Sequence, residues 1–216
     1  MSHLIELLIP SLFETLYMVF VSVIFTVIIG LPLGIVLVVT DKDHILPNPW
    51  IQNTLSYFIN ITRSLPFIIL MIFIIPFTRL LVGTTIGTTA AIVPLVIGAS
   101  PFFARIVESA IREVDWGVVE ASIAMGATPY QIITKVLIPE ALASLILGVT
   151  ITIINILGYS AMAGVVGGGG LGDLAVRYGY HRFQTDVMLA TVVVLVLLVQ
   201  IIQTAGNKIA QLVQKK

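Results

Sequence analysis

Gly167, Gly169 and Gly172 satisfy G-x-G-x-x-G, a spacing that after a strand lets backbone amides approach a pyrophosphate. No strand pattern precedes these glycines and no acidic residue fits the ribose-binding role, which argues against a dinucleotide. The run Gly164 to Gly172 reads instead as a flexible, close-packed loop outside the membrane, either touching a soluble binding protein or serving as a plain structural turn. No G-x-x-x-x-G-K-[ST] phosphate loop, H-E-x-x-H or G-x-S-x-G occurs in the chain. The nearest string to the last, Gly158-Tyr159-Ser160-Ala161, lacks the final glycine. His3, His44 and His181 are isolated, and the chain has no cysteine, so neither a metal centre nor a thiol nucleophile is expected. No catalytic residue and no cofactor of the chain's own is predicted.

The elements that must position any site are set by hydrophobicity. Of 216 residues, 58% are hydrophobic and 10% charged, against about 45–50% and about 25% in soluble domains. Formal net charge is zero and no basic block exists, so no electrostatic footprint for nucleic acid is present. Charge-free stretches of about 20 residues predict an all-α integral membrane protein of about five spans, roughly 14–39, 57–77, 88–104, 141–163 and 187–207. The first follows Glu6 and Glu14 rather than a basic segment and exceeds a signal-peptide core in length, so it reads as a retained helix. Within it, Gly30 and Gly34 flank Pro32, predicting close helix contact at a kink. The second span either begins at Ser64 or carries Arg63 at its polar end. No repeat is visible, and residues 1–216 form a single membrane domain.

Five spans place the termini on opposite sides of the bilayer. With the C-terminus inside, Lys42, Arg105, Arg112, Lys135, Lys208, Lys215 and Lys216 are cytoplasmic, while Arg79, Arg177 and Arg182 are outside. That bias predicts an outside N-terminus and a cytoplasmic C-terminus. It also makes 105–140 cytoplasmic and 164–186 periplasmic.

The segment 115–139 specifies two short helices. Asp115 can cap the first, Trp116 to Met125, and Gly126 suits its left-handed end. Thr128, Pro129 and Gln131 form a capping box with proline in the first helical turn, and Pro139 stops or redirects the second helix. The small and apolar residues Ala121, Ala124, Ile132 and Ile133 need a surface to pack on. Folding against the chain's own bundle and docking to a soluble partner both satisfy that need.

The run EASIAMGATPYQIITKVLIP resembles the EAA loop of binding-protein-dependent ABC importer permeases. Glu120, Ala121, Gly126 and Pro139 match; Ser122, Val136 and Ile138 replace the usual Ala, Ile and Leu by small or apolar residues. RSLPFIIL at 63–70, IPFTRLLVGT at 75–84, AAIVPL at 90–95 and LGYSAMAG at 157–164 extend the similarity toward the methionine-transporter branch. The resemblance implies that Glu120, Ala121, Ser122, Met125, Gly126, Ala127, Thr128, Pro129 and Pro139 couple the chain to an ATPase. It implies a homodimer, two ATP-binding cassette subunits holding ATP and Mg, and a periplasmic or lipid-anchored methionine-binding protein, in a bacterial inner membrane. It also places Ser64, Pro66, Tyr159, Ser160 and Met162 along the translocation pathway or gate. From the residues alone, packed or lipid-facing bundle positions explain that set equally well. A permease for another small amino acid and a secondary transporter are the competing readings. Against the latter, no predicted span contains a carboxylate that could couple to an ion gradient apart from Glu14 at the edge of the first.

Overall fold

The computed structural model describes the backbone of residues 2–214 and the side chains from residue 4 to 214. Lys215, Lys216 and the side chain of His3 lie outside the described residues. In chain order the helices are α1 (Ser2–Val39), α2 (Pro49–Ser64), α3 (Phe67–Phe73), α4 (Ile75–Val82), α5 (Thr88–Arg112) and α6 (Trp116–Ala124). They continue with α7 (Pro129–Ile132), α8 (Ile138–Glu140), α9 (Leu142–Val165), α10 (Gly170–Leu174) and α11 (Thr185–Gln214). Four of these, α1, α5, α9 and α11, are individually long and apolar enough to cross a membrane.

The second predicted span, 57–77, is not one helix. The chain turns by 103° between α2 and α3. Pro66 lacks an amide hydrogen, so it cannot donate to Thr62, and it disfavours helical geometry at Leu65, which adopts ψ 128°. Ser64 therefore ends a helix instead of opening one. Helix α1 starts well before residue 14 and stays continuous through Pro10 and Pro32, α5 runs on to Arg112, and α11 extends to Gln214.

Helix α1 buries a stripe at Thr15, Met18, Ser22, Thr26, Gly30, Gly34 and Leu37, the three-to-four spacing of one helix face. Its main partner is α5. A Cβ on Gly30 would stand 2.9 Å from the Ser100 carbonyl oxygen, and one on Gly34 would stand 2.6 Å from that of Ala104. The two backbones approach only because neither glycine has a side chain. Helix α11 crosses α9 where Gly206 meets Thr150. Most of its remaining surface is exposed apolar side chain, as expected of a helix facing lipid.

Candidate functional site

The segment between α5 and α9 folds as two short capped helices. The Asp115 carboxylate accepts from the Gly117 amide at 2.6 Å, capping α6. Gly126, at φ +81°, ends that turn in left-handed geometry. Both halves of the capping box are made: Gln131 N–H donates to the Thr128 hydroxyl and Thr128 N–H to the Gln131 side chain. Pro139 does not stop the second helix. A π-turn over Ile133–Leu137 precedes it, so that Ile138 N–H donates to Ile133, and helix resumes through α8 to α9. The wider turn absorbs the donor that proline lacks.

Two faces of this segment differ. Val119, Ile132 and Leu137 are buried in one cluster with Val38, Phe103, Val107, Ile111 and Leu145 of the bundle. Glu120, Ala121, Ala124, Met125, Pro129 and Tyr130 lie on the exposed side, with Met125 at 80% and Tyr130 at 75% exposure. Folding against the bundle thus uses one face and leaves a second one open. Ser122 is buried, its hydroxyl donating to the Val118 carbonyl at 2.8 Å while its own carbonyl accepts from Ala127 N–H. The hydroxyl is satisfied within the turn, which explains why serine is tolerated where the EAA pattern has alanine.

Beneath the segment lies a charge network that sequence reasoning missed. Glu108 is 7% exposed and accepts from Arg105 at 2.6 Å and from Arg112 at 3.1 Å. Arg112 also donates to Asp41 at 2.6 Å, and Arg105 donates to the Ser56 hydroxyl and to the Asn60 side chain. Arg105, Glu108 and Arg112 are spaced i, i+3, i+7 on one face of α5, a signal the sequence carried. Asp41 and the α2 partners are remote in sequence and were not legible. The Arg112 hydrogen bond holds the Asp41 carboxyl below its ordinary value. Burial lowers the pKa of His44, with Arg112 adding to the effect. Its ring meets Trp116 edge-on at 5.3 Å, which joins the 40–48 loop to the start of α6.

The predicted pathway residues divide. Ser64 and Pro66 sit at the α2–α3 bend, and Tyr159 stacks on Phe67 beside it, with ring centroids 4.3 Å apart and planes 2° from parallel. Ser160 is buried and its hydroxyl donates to the Leu157 carbonyl at 2.7 Å, away from that bend. Met162, two residues further along α9, is 46% exposed.

The glycine-rich loop is held by α1. Gly170 N–H donates to the Glu14 carboxylate at 2.7 Å and Leu171 N–H to the Thr15 hydroxyl at 2.8 Å. Those contacts occupy the amides that open α10.

Residues 30–216 match the family described as binding-protein-dependent transport system inner membrane component. The chain belongs to that family. Within it, a probable D-methionine transport system permease protein MetI of Vibrio cholerae is 53% identical over 98% of this chain and 94% of its own length. The D-methionine transport system permease protein MetI of Escherichia coli K12 is 55% identical over 73% of each chain. A solved structure described as inward facing conformations of the MetNI methionine ABC transporter superposes with a TM-score of 0.97 at 51% identity, covering 99% of both chains. The family description makes this chain an inner membrane component of a transport system.

Proposed function

We propose that this chain is the membrane permease of an ATP-driven importer for methionine, working as a homodimer with two separate ATPase subunits and a periplasmic or lipid-anchored binding protein. The observation that carries the proposal is the end-to-end likeness to a methionine ABC transporter chain, at 51% identity and a TM-score of 0.97. The open face of α6 and α7 is the surface that would seat in an ATPase cleft. Its other face is already buried in the bundle, so motion imposed on Glu120, Met125 and Pro129 passes to α5 and α9 as a rigid body.

ATP and Mg act on the partner, and nucleotide binding draws the two ATPases together. The coupling loops follow, and the bundle opens toward the loaded binding protein; hydrolysis returns it to the inward state. The nucleotide biases the two states only by its differential affinity for them. The N-terminus lies outside and the C-terminus in the cytoplasm.

ATP-dependent uptake of labelled L-methionine into proteoliposomes holding the chain, its ATPase and its binding protein tests the substrate. Assembly and ATP-driven uptake of another amino acid but not methionine would keep the permease and discard methionine; uptake driven by an ion gradient without the ATPase would overturn the importer itself. Glu120→Arg separately tests the coupling surface. It is expected to leave membrane insertion unchanged and to lower ATPase copurification about tenfold, because it reverses a charge at an exposed docking face.

A further inference from the structure

At the α2–α3 bend, Thr62, Arg63, Leu65, Phe67, Gly98, Phe102 and Tyr159 line a cleft. Gly98 is ten residues into α5, about 15 Å along a helix of about 37 Å, so the cleft lies near mid-depth in the bundle. An arginine at that depth is costly unless it serves a pathway or a ligand. Among the described residues Arg63, like Arg79 and Arg182, has no carboxylate partner, whereas Arg105, Arg112 and Arg177 each have at least one.

Three further features complete the chemistry. Helix α2 stops at Ser64 and Pro66 has no N–H, so apart from Thr62, whose carbonyl accepts from Leu65 N–H, the carbonyls of its last turn lack backbone donors, and this is the negative end of the helix dipole. The Phe67–Tyr159 stack supplies a flat apolar wall. Gly98 makes that wall possible, because a Cβ there would stand 3.1 Å from the Phe67 ring.

We propose that this cleft is a transit site for a zwitterionic amino acid with an apolar side chain. Arg63 receives the carboxylate, the free carbonyls ending α2 receive the ammonium, and the side chain lies against the Tyr159 and Phe67 rings. A thioether suits that wall, since sulfur makes favourable contacts with aromatic rings. The assignment rests on the chain being an amino-acid permease and adds the residues that would hold the substrate within it.

Because the chain has no cysteine, a single introduced thiol is chemically unique within it. Arg63→Cys, assembled with the ATPase and binding protein in proteoliposomes, is expected to lose about tenfold or more of ATP-dependent methionine uptake, the scale of a lost charge-assisted contact. Aminoethyl methanethiosulfonate restores a cation at this position and is expected to restore uptake. The neutral ethyl and anionic sulfonatoethyl reagents are not, with the cysteine-free parent correcting for partner thiols. Unimpaired uptake by Arg63→Cys, or equal restoration by the neutral reagent, would overturn the site. Thr62→Cys gives an independent reading: methionine is expected to slow its modification in the assembled complex, and an unchanged rate counts against the site even if Arg63→Cys fails to assemble. Failure of the parent complex to transport methionine would instead strike the permease reading.

Discussion

Single residues in the α6–α7 turn carry conformational demands that their types already announce. Gly126 holds φ +81° with open space where a Cβ would go, so alanine there meets no neighbour and suffers only the left-handed backbone penalty. Gly126→Ala is therefore expected to destabilise by about 1 kcal/mol, and Gly126→Asn by less because asparagine tolerates this region. Melting of the purified protein should rank Gly above Asn above Ala; an alanine variant as stable as the parent would contradict the backbone argument. Glu108 shows the opposite case, a residue whose role depends on its surroundings. Its type says carboxylate, but its burial between two guanidinium groups follows from α5 running on past the predicted end of the span.

Between elements, small residues decide how closely helices pass. A Cβ on Gly164 would collide with the Asp173 amide nitrogen, and one on Gly172 with the Ala161 carbonyl oxygen, so α9 and α10 cross backbone to backbone. Neither neighbour is a flexible side chain. Gly164→Ala or Gly172→Ala should abolish accumulation of folded protein, while Gly158→Ala, in the same helix with nothing within 4 Å, should be neutral or stabilising by up to about 1 kcal/mol. Size-exclusion profiles of the three variants would decide; a monodisperse Gly172→Ala protein would refute the close crossing.

The loop joining α1 to α2 has a pH signature. Asp41 and His44 both have folded-state pKa values below their ordinary ones, so the folded protein binds fewer protons than the unfolded chain and stability rises with pH. For His44 this contribution is complete above its ordinary value of 6.5 and is lost as pH falls through its lower folded value. Asp41 partly offsets the repulsion between Arg112 and a charged His44. The melting temperature should fall from pH 7 to pH 5, and His44→Gln should flatten that slope. An equally steep fall in the variant would remove His44 as its cause.

For the whole molecule, the proposed orientation predicts which surfaces face which compartment. Phe183 is 85% exposed before α11 and Met125 is 80% exposed after α6. With no native cysteine, Phe183→Cys should label with an impermeant maleimide from the periplasmic side, and Met125→Cys only in inverted vesicles. The reverse pattern would invert the topology.

Much of this architecture was legible in the residues. Charge-free runs located α1, α5, α9 and α11 because a spanning helix needs about 20 apolar residues, a demand local to each segment. The caps at Asp115 and Thr128 were equally local, each closing within three residues. The EAA-like string was legible because its pattern is contiguous, and it marks the segment proposed to couple to an ATPase. Composition failed at 57–77, where a mostly apolar stretch was read as one span across the break at Leu65–Pro66; hydropathy measures transfer from water and is blind to direction.

The sequence by itself determined the membrane class, the four long helices, the capped helix pair and the absence of a phosphate loop or of any cysteine. Those follow from residue type and near neighbours. Only the tertiary structure decided that Glu14 and Thr15 clamp the amides of Gly170 and Leu171, that Asp41 closes the Arg105–Glu108–Arg112 network, and that Arg63, Gly98 and Tyr159 share one cleft. Each joins groups tens of residues apart or more. Their meeting depends on where whole helices cross, which no local pattern encodes.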